Sequence, residues 1–355
     1  MTKQLICSNE LTGLMKPQNY CGILLIDGKY VPVKNLKKET IDMRGDNLVP
    51  RSAKRRGKTK KGLVILPFAD YLTHDIPVYI IASSENMFEI REGFRKLKEM
   101  RYDLKILVCD ESMGEIAQIA KEFYPDVIIQ TCLKHYSANV DKEFKVNGIK
   151  RTMKAIEKKL EKIGDNIFIP THHGDIRKAM ELTNQLADLE FEYNYLIKIQ
   201  EIFHEIFWKV ETAEELTEAE DTLNTVISHI NPDTHPYADR IRKRYLDYYK
   251  KWDQITAFAH HPDLDIPRTT NLIEGFNSTT LEMRFTSIRG FENEETARSY
   301  INAMILKYRF HKFKCCRKKF KHLNGKSPLE IVNPLHNLKN PRSKDWVELC
   351  RKLKS

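Results

Sequence analysis

The hydrophobic pattern of the chain changes period partway along its length. Short apolar runs of strand length come first, at residues 22–33 (GILLIDGKYVPV), 63–67 (LVILP), 77–82 (PVYIIA), 106–109 (ILVC) and 127–129 (VII). Each is rich in Val, Ile or Leu and bounded by turn residues, the mark of a buried strand. Apolar residues at 90, 94, 97 and 100 have helical spacing and predict a helix over 88–100 with Asn86 as its N-cap. A second apolar-periodic stretch fills the interval between 110 and 127. Three strands without intervening helices predict an antiparallel meander, and the strands joined through helices predict parallel pairing. The expected class is α/β, a mixed five-stranded sheet with flanking helices.

Beyond His135 the period becomes helical. Ile149, Met153, Ile156, Leu160 and Ile163 form one seam, and Leu182, Leu186, Leu189, Tyr193, Leu196 and Phe203 a second. Because the sheet still lacks its closing helices, this region reads as an all-helical insertion over 139–262. The closing helices are expected at 270–284 and 294–313. The chain then divides into a short lead (1–20), a first part of the core (21–138), the insertion (139–262), the closing part of the core (263–314) and a basic tail (315–355). Trp208 and Trp252, inside the insertion, read as core.

Composition adds a partner. The 355 residues carry 59 Lys and Arg against 49 Asp and Glu, a formal charge of +10 that favours a polyanion. Seven cysteines, odd in number and irregularly spaced, argue for a reduced intracellular protein without a disulfide framework. No apolar run approaches the ~18 residues of a membrane span, and the first residues lack a signal-peptide core. The expected location is cytoplasmic and nucleoid-associated in a prokaryote, nuclear in a eukaryote, with no membrane partner.

Asp27 and Asp110 each end a buried strand, at the edge where α/β sheets usually carry their chemistry. If the two strands are neighbours, the carboxylates meet and repel unless a divalent cation lies between them. Glu274, in residues 270–277 (TNLIEGFN), is the best third carboxylate; Asn271 and Asn277 flank it, and Arg284 and Arg289 follow. On spacing alone it serves equally as a first-turn residue favoured by the helix dipole. Two Mg²⁺ (or Mn²⁺) ions on such a triad, about 4 Å apart, can clamp the attacking and leaving oxygens of a phosphodiester displacement. Cys132 and His135, spaced C-x₂-H, would form half a zinc site only with remote completers such as His172 and His173. Zinc is therefore not expected.

The ordered set of Ile26-Asp27-Gly28, Asp110, residues 123–135 (FYPDVIIQTCLKH) and residues 270–277 running into Arg284 and Gly290-Phe291 resembles Mutator-type (MULE-like) DDE transposases over roughly residues 21–313. The resemblance implies an RNase H-like fold with a helical insertion between the fifth strand and the glutamate's helix. It implies that Asp27, Asp110 and Glu274 are the catalytic carboxylates and hold two metal ions. Cys132, His135, Asn271 and Asn277 become neighbours of the active site. The implied activity is DNA cleavage at transposon ends followed by strand transfer into target DNA, by a homodimer or larger assembly on double-stranded DNA. Family members usually carry an N-terminal end-recognition module, which twenty residues before the first strand cannot hold.

Two basic segments suit the same partner. Residues 51–61 contain seven cations and no acid, and Lys54, Arg55, Arg56, Lys58, Lys60 and Lys61 are expected on DNA phosphates, a solvated loop being the plain alternative. Residues 307–321 carry eight cations interleaved with aromatics; Arg309, Lys312 and Lys314, together with Arg284 and Arg289, join the expected DNA contacts. The aromatics there fit core packing equally well. Two other readings share these residues: a catalytically inactive, transposase-derived DNA-binding protein, and an RNase H-like nuclease without strand transfer.

Overall fold

The computed structural model describes residues 7–15, 19–33, 62–82, 87–110, 114–164, 173–229, 238–288 and 291–332. The chain forms two compact units: 1–129 together with 269–355, and 130–268.

The first unit opens with helix α1 (Ser8–Met15) and is built on a mixed sheet. Its strands are β1 (Ile23–Ile26), β2 (Lys29–Pro32), β3 (Gly62–Asp70), β4 (Val78–Ala82), β5 (Ile106–Cys109) and β6 (Ile128–Thr131), with α2 (Met87–Glu99) after β4 and α3 (Gly114–Phe123) after β5. The order is β2-β3-β1-β5-β6, and β4 pairs with β3. The predicted meander is present, with β1, β2 and β4 all antiparallel to β3, and β5 is parallel to β1.

Six strands appear where five were expected because the first is interrupted. β1 and β2 pair with β3 in one unbroken register, Ile26 opposite Phe68 and Lys29 opposite Ile65, with two residues between on each strand. Asp27 therefore falls opposite Pro67. Proline has no N–H to give a ladder, so the pairing lapses where the aspartate stands.

β1, β4 and β5 are buried along their whole length, which is why they read as continuous rather than alternating apolar runs. One face packs Leu24, Ile26, Phe68, Ile80 and Leu107 against Ile90, Phe94 and Leu97 of α2 and Ile116 and Ile119 of α3. The helix comes close at Gly93, where a Cβ would lie 2.4 Å from Phe68 Cζ. α2 spans almost the predicted interval, although its proposed cap, Asn86, lies outside the described residues.

The second unit is helical after β6: α4 (Leu133–Phe144), α5 (Val146–Gly164), α6 (His173–Trp208), α7 (Ala213–Ser228), α8 (Ala238–Tyr249), α9 (Trp252–Ile255) and α10 (Ala257–His260). The predicted seams fall in α5 and α6. α7 starts with a reciprocal cap, in which Thr212 accepts from the Glu215 backbone and Glu215 from that of Thr212. Trp208 is not core: at the end of α6 it is 44% exposed. Trp252 is partly buried and donates its indole N–H to Glu220.

Four helices return to the first unit: α11 (Asn271–Phe276), α12 (Met283–Ile288), α13 (Glu294–Phe310) and α14 (Pro328–Val332), with a π-helical turn, Asn277–Glu282, between α11 and α12. α13 stops at Phe310, short of the expected 313. Among the described residues no helix is long and apolar enough to cross a membrane.

Candidate active site

β1 and β5 are hydrogen-bonded parallel neighbours with wholly buried side chains, and their register fixes what comes next. Ile23 pairs with Ile106, Leu24 with Leu107 and Leu25 with Val108, residues 83 apart in the chain. Asp27 and Asp110 are 83 apart as well. One step past the strand ends, the same register brings the two aspartates level on neighbouring strands, which run about 4.8 Å apart. Both are half-buried.

The closing segment runs along this edge. Asn277 Nδ2 donates to Asp27 Oδ2 at 3.3 Å, Lys29 Nζ bonds Glu282 Oε2 at 2.8 Å, and the Phe291 N–H donates to Pro32 O at 3.1 Å. Glu274 lies three residues before Asn277, on the same side of α11. It is half-buried, and Thr270 Oγ1 donates to its Oε1 at 3.3 Å. The Asn277 backbone N–H donates backward to the carbonyls of both Glu274 and Ile273, where the helix loosens into the π turn. Such turns recur at functional sites because they re-aim the side chains around them.

Asn277 is 3% exposed, and its Oδ1 has no hydrogen-bond partner. With the amide nitrogen turned to a carboxylate, the carbonyl end is a buried acceptor left open beside Asp27. Carboxylates and an amide oxygen are hard oxygen donors, the kind that suit Mg²⁺ or Mn²⁺ rather than a soft metal; Asp27, Asp110 and the Asn277 Oδ1 beside Asp27 are of that kind, and Glu274 lies one turn before Asn277. Among the described residues the three carboxylates do not form a group in which one oxygen from each lies within 4.8 Å of the others. A site for two ions would not require that, since in two-metal sites each carboxylate need reach only one or both of two ions roughly 4 Å apart.

The other predicted site residues divide. Asn271 is exposed at the start of α11, and Arg284 is exposed on α12. Cys132 and His135 belong to the second unit, Cys132 fully buried as the N-cap of α4 and His135 in its first turn. Lys54, Arg55, Arg56, Lys58, Lys60, Lys61, Arg289 and His172 lie outside the described residues.

Arg309 must be withdrawn from the DNA contacts. It is fully buried, with Nε and Nη2 each 2.8 Å from an oxygen of the equally buried Asp75. Its Nη1 donates to Ser8 O, Ser8 Oγ and Thr12 Oγ1 of α1. Lys312 is partly committed, 3.5 Å from Glu330, whereas Lys314 is exposed. By periodicity Thr270 is only a helix start; its hydroxyl, four residues before Glu274, is the sequence signal for their contact. Comparison of the sequence with protein-family models gives no match, and comparison with curated proteins gives none either.

Proposed function

We propose that the chain is a DDE transposase of Mutator type, with an RNase H-like core, that cleaves and joins DNA by metal-dependent phosphoryl transfer. The observation that carries this reading is the parallel register of β1 with β5, which continued past the strand ends sets Asp27 level with Asp110, together with the hydrogen bond to Asp27 from Asn277 at the end of α11. The mixed sheet, and the long helical stretch between its last strand and the glutamate's helix, support the fold assignment.

In this reading Asp27, Asp110 and Glu274 hold two Mg²⁺ (or Mn²⁺) ions. Bound there, the ions neutralise charge developing on the phosphodiester and lower the pKa of an attacking water. Asn277 fixes the rotamer of Asp27, and Thr270 that of Glu274, so that the carboxylates are preorganised. Cleavage adds a water oxygen to phosphorus and breaks the P–O3′ bond, leaving a 3′-OH at the transposon end. That oxygen then attacks a target phosphodiester, whose own P–O3′ bond breaks in turn. Holding two ends together for this requires at least a dimer on double-stranded DNA.

The test is product analysis. The protein, with Mn²⁺, is given a duplex carrying the DNA that flanks its gene, beside the Asp110→Asn and Glu274→Gln variants. The expected result is nicked and joined products from the wild type, reduced at least about 100-fold in both variants. Equal nicking by all three contradicts the triad. Cut ends without joined molecules mean a nuclease, and binding without cutting means a DNA-binding descendant.

A further inference from the structure

No acidic residue occurs between Glu295 and Glu330, and the described residues that follow α13 are ordered around backbone hydrogen bonds. Residues 311–327 close into a compact loop. Its neck is a two-rung ladder, the Phe313 N–H donating to Lys326 O at 2.9 Å and the Gly325 N–H to Phe313 O at 2.8 Å. The Asn324 side chain braces the inside, accepting from the Cys316 N–H at 2.7 Å and donating to Cys316 O at 3.1 Å. Gly325, at φ +85°, supplies the left-handed residue that closes the neck. The tip is a 3-10 turn, Lys318–Leu323, and Lys318 opens it at φ +50°, a conformation that costs a lysine roughly 1–2 kcal/mol.

Rings fasten this loop to the connection between β3 and β4. His74, itself left-handed at φ +57°, lies 5.5 Å from the Phe313 ring and 4.5 Å from the Phe320 ring. Tyr71 meets Phe320 edge-on at 5.5 Å, and Lys319 Nζ sits 4.8 Å over the Tyr71 ring. What the loop holds outward is charge. Lys314, Arg317, Lys318 and Lys321 are exposed, and among the described residues none of them has a carboxylate partner. Crowding like charges on a closed backbone is unfavourable by itself, and a polyanion reverses the sign. A preformed backbone also loses little entropy on binding.

Its position is distinct from that of the carboxylates. The Tyr71 N–H donates to Ile23 O and Leu24 pairs with Asp70, so the β3–β4 connection stands at the N-terminal end of β1. Asp27 stands past its C-terminal end. Four strand residues separate the two places, about 13 Å. We propose that the loop of residues 311–327 is a preformed grip for the phosphodiester backbone of duplex DNA, through Lys314, Arg317, Lys318 and Lys321, at the opposite end of the sheet from the carboxylates. The proposal rests on the DNA-processing reading only for the choice of DNA as the phosphate source.

The test uses the full chain and a labelled 40-base-pair duplex in EDTA, with affinity measured by anisotropy across a range of NaCl concentrations. The Arg317→Gln/Lys318→Gln/Lys321→Gln variant is expected to bind at least about tenfold more weakly. Its plot of log affinity against log salt should be shallower by about 2.7, three phosphate contacts' worth. Unchanged affinity and slope overturn the proposal. So does an equal loss from Lys154→Gln/Lys158→Gln/Lys159→Gln, a matched charge change on exposed positions of α5, or loop-dependent binding of poly-glutamate without binding of the duplex. A wild type that cuts nothing but shows the slope change leaves the grip standing while the proposed chemistry falls.

Discussion

Asp27 and Asp110 end strands whose other residues are wholly apolar and buried, and their register makes them neighbours. Asn277 is the residue that ties this pair to the glutamate's helix, and it acts through Asp27. Asn277→Ala is expected to raise the Mn²⁺ concentration for half-maximal cleavage about tenfold, with the rate at saturating Mn²⁺ little changed. An Mn²⁺ titration of nicking reads both, and a lowered plateau without a shifted midpoint would count against a positioning role. Arg309 makes the opposite point about basic residues. Its removal leaves the buried Asp75 carboxyl without its cation, so Arg309→Met is expected to destabilise the fold by about 3–5 kcal/mol, measured by denaturant unfolding. If this variant folds normally and only loses DNA affinity, the buried-pair account is wrong.

At the scale of elements, the strands and the α2 helix were legible because burial imposes a period that the sequence must carry. The seam 90, 94, 97 is buried as its spacing predicts. Gly93 lies on that helix but was not singled out, since no local pattern announces that a Phe ring from β3 will press on it. Gly93→Ala is expected to cost about 1–3 kcal/mol in thermal or chemical unfolding, and a neutral result would mean that α2 can lift from the sheet without loss. The interruption at Asp27 became explicable only once Pro67 was known to lie opposite. The spacing of the aromatics in residues 307–321 fits core packing as well as DNA contact; in the fold Phe313 and Phe320 converge on His74.

That convergence has a pH signature. Burial among the rings, with the charge of His322 added, holds the His74 imidazole down to about 4. The unfolded chain takes up this proton near 6.5 and the folded chain does not. Stability is therefore expected to fall as pH drops from about 6.5 toward 4, by at most roughly 3 kcal/mol. Unfolding at pH 7 and pH 5 checks this, and His74→Asn, which tolerates the left-handed backbone, should lose the difference. An unchanged pH dependence in that variant would assign the effect to other groups.

At the scale of the whole molecule, the +10 charge suggested a polyanion, but charge alone could not say which cations face it. Sequence spacing treated Arg309 and Lys314 alike. Folding buries the first in an ion pair and leaves the second exposed on a ring-anchored loop. Asp27 and Asp110 stand out in the sequence as the charged residues that close two apolar strands, a position that an ordinary strand-to-helix turn also allows. The pairing of Asp27 with Asp110 required the register, which the sequence carries only as an equal spacing. The central claim, that these two residues and Glu274 form a metal centre, is tested most directly by titrating Mn²⁺ into the full chain and following free Mn²⁺ by electron paramagnetic resonance. Wild type is expected to bind the ion, and the Asp27→Asn/Asp110→Asn variant to bind it at least about tenfold more weakly while unfolding cooperatively like the wild type. Equal Mn²⁺ binding by the two proteins would contradict it.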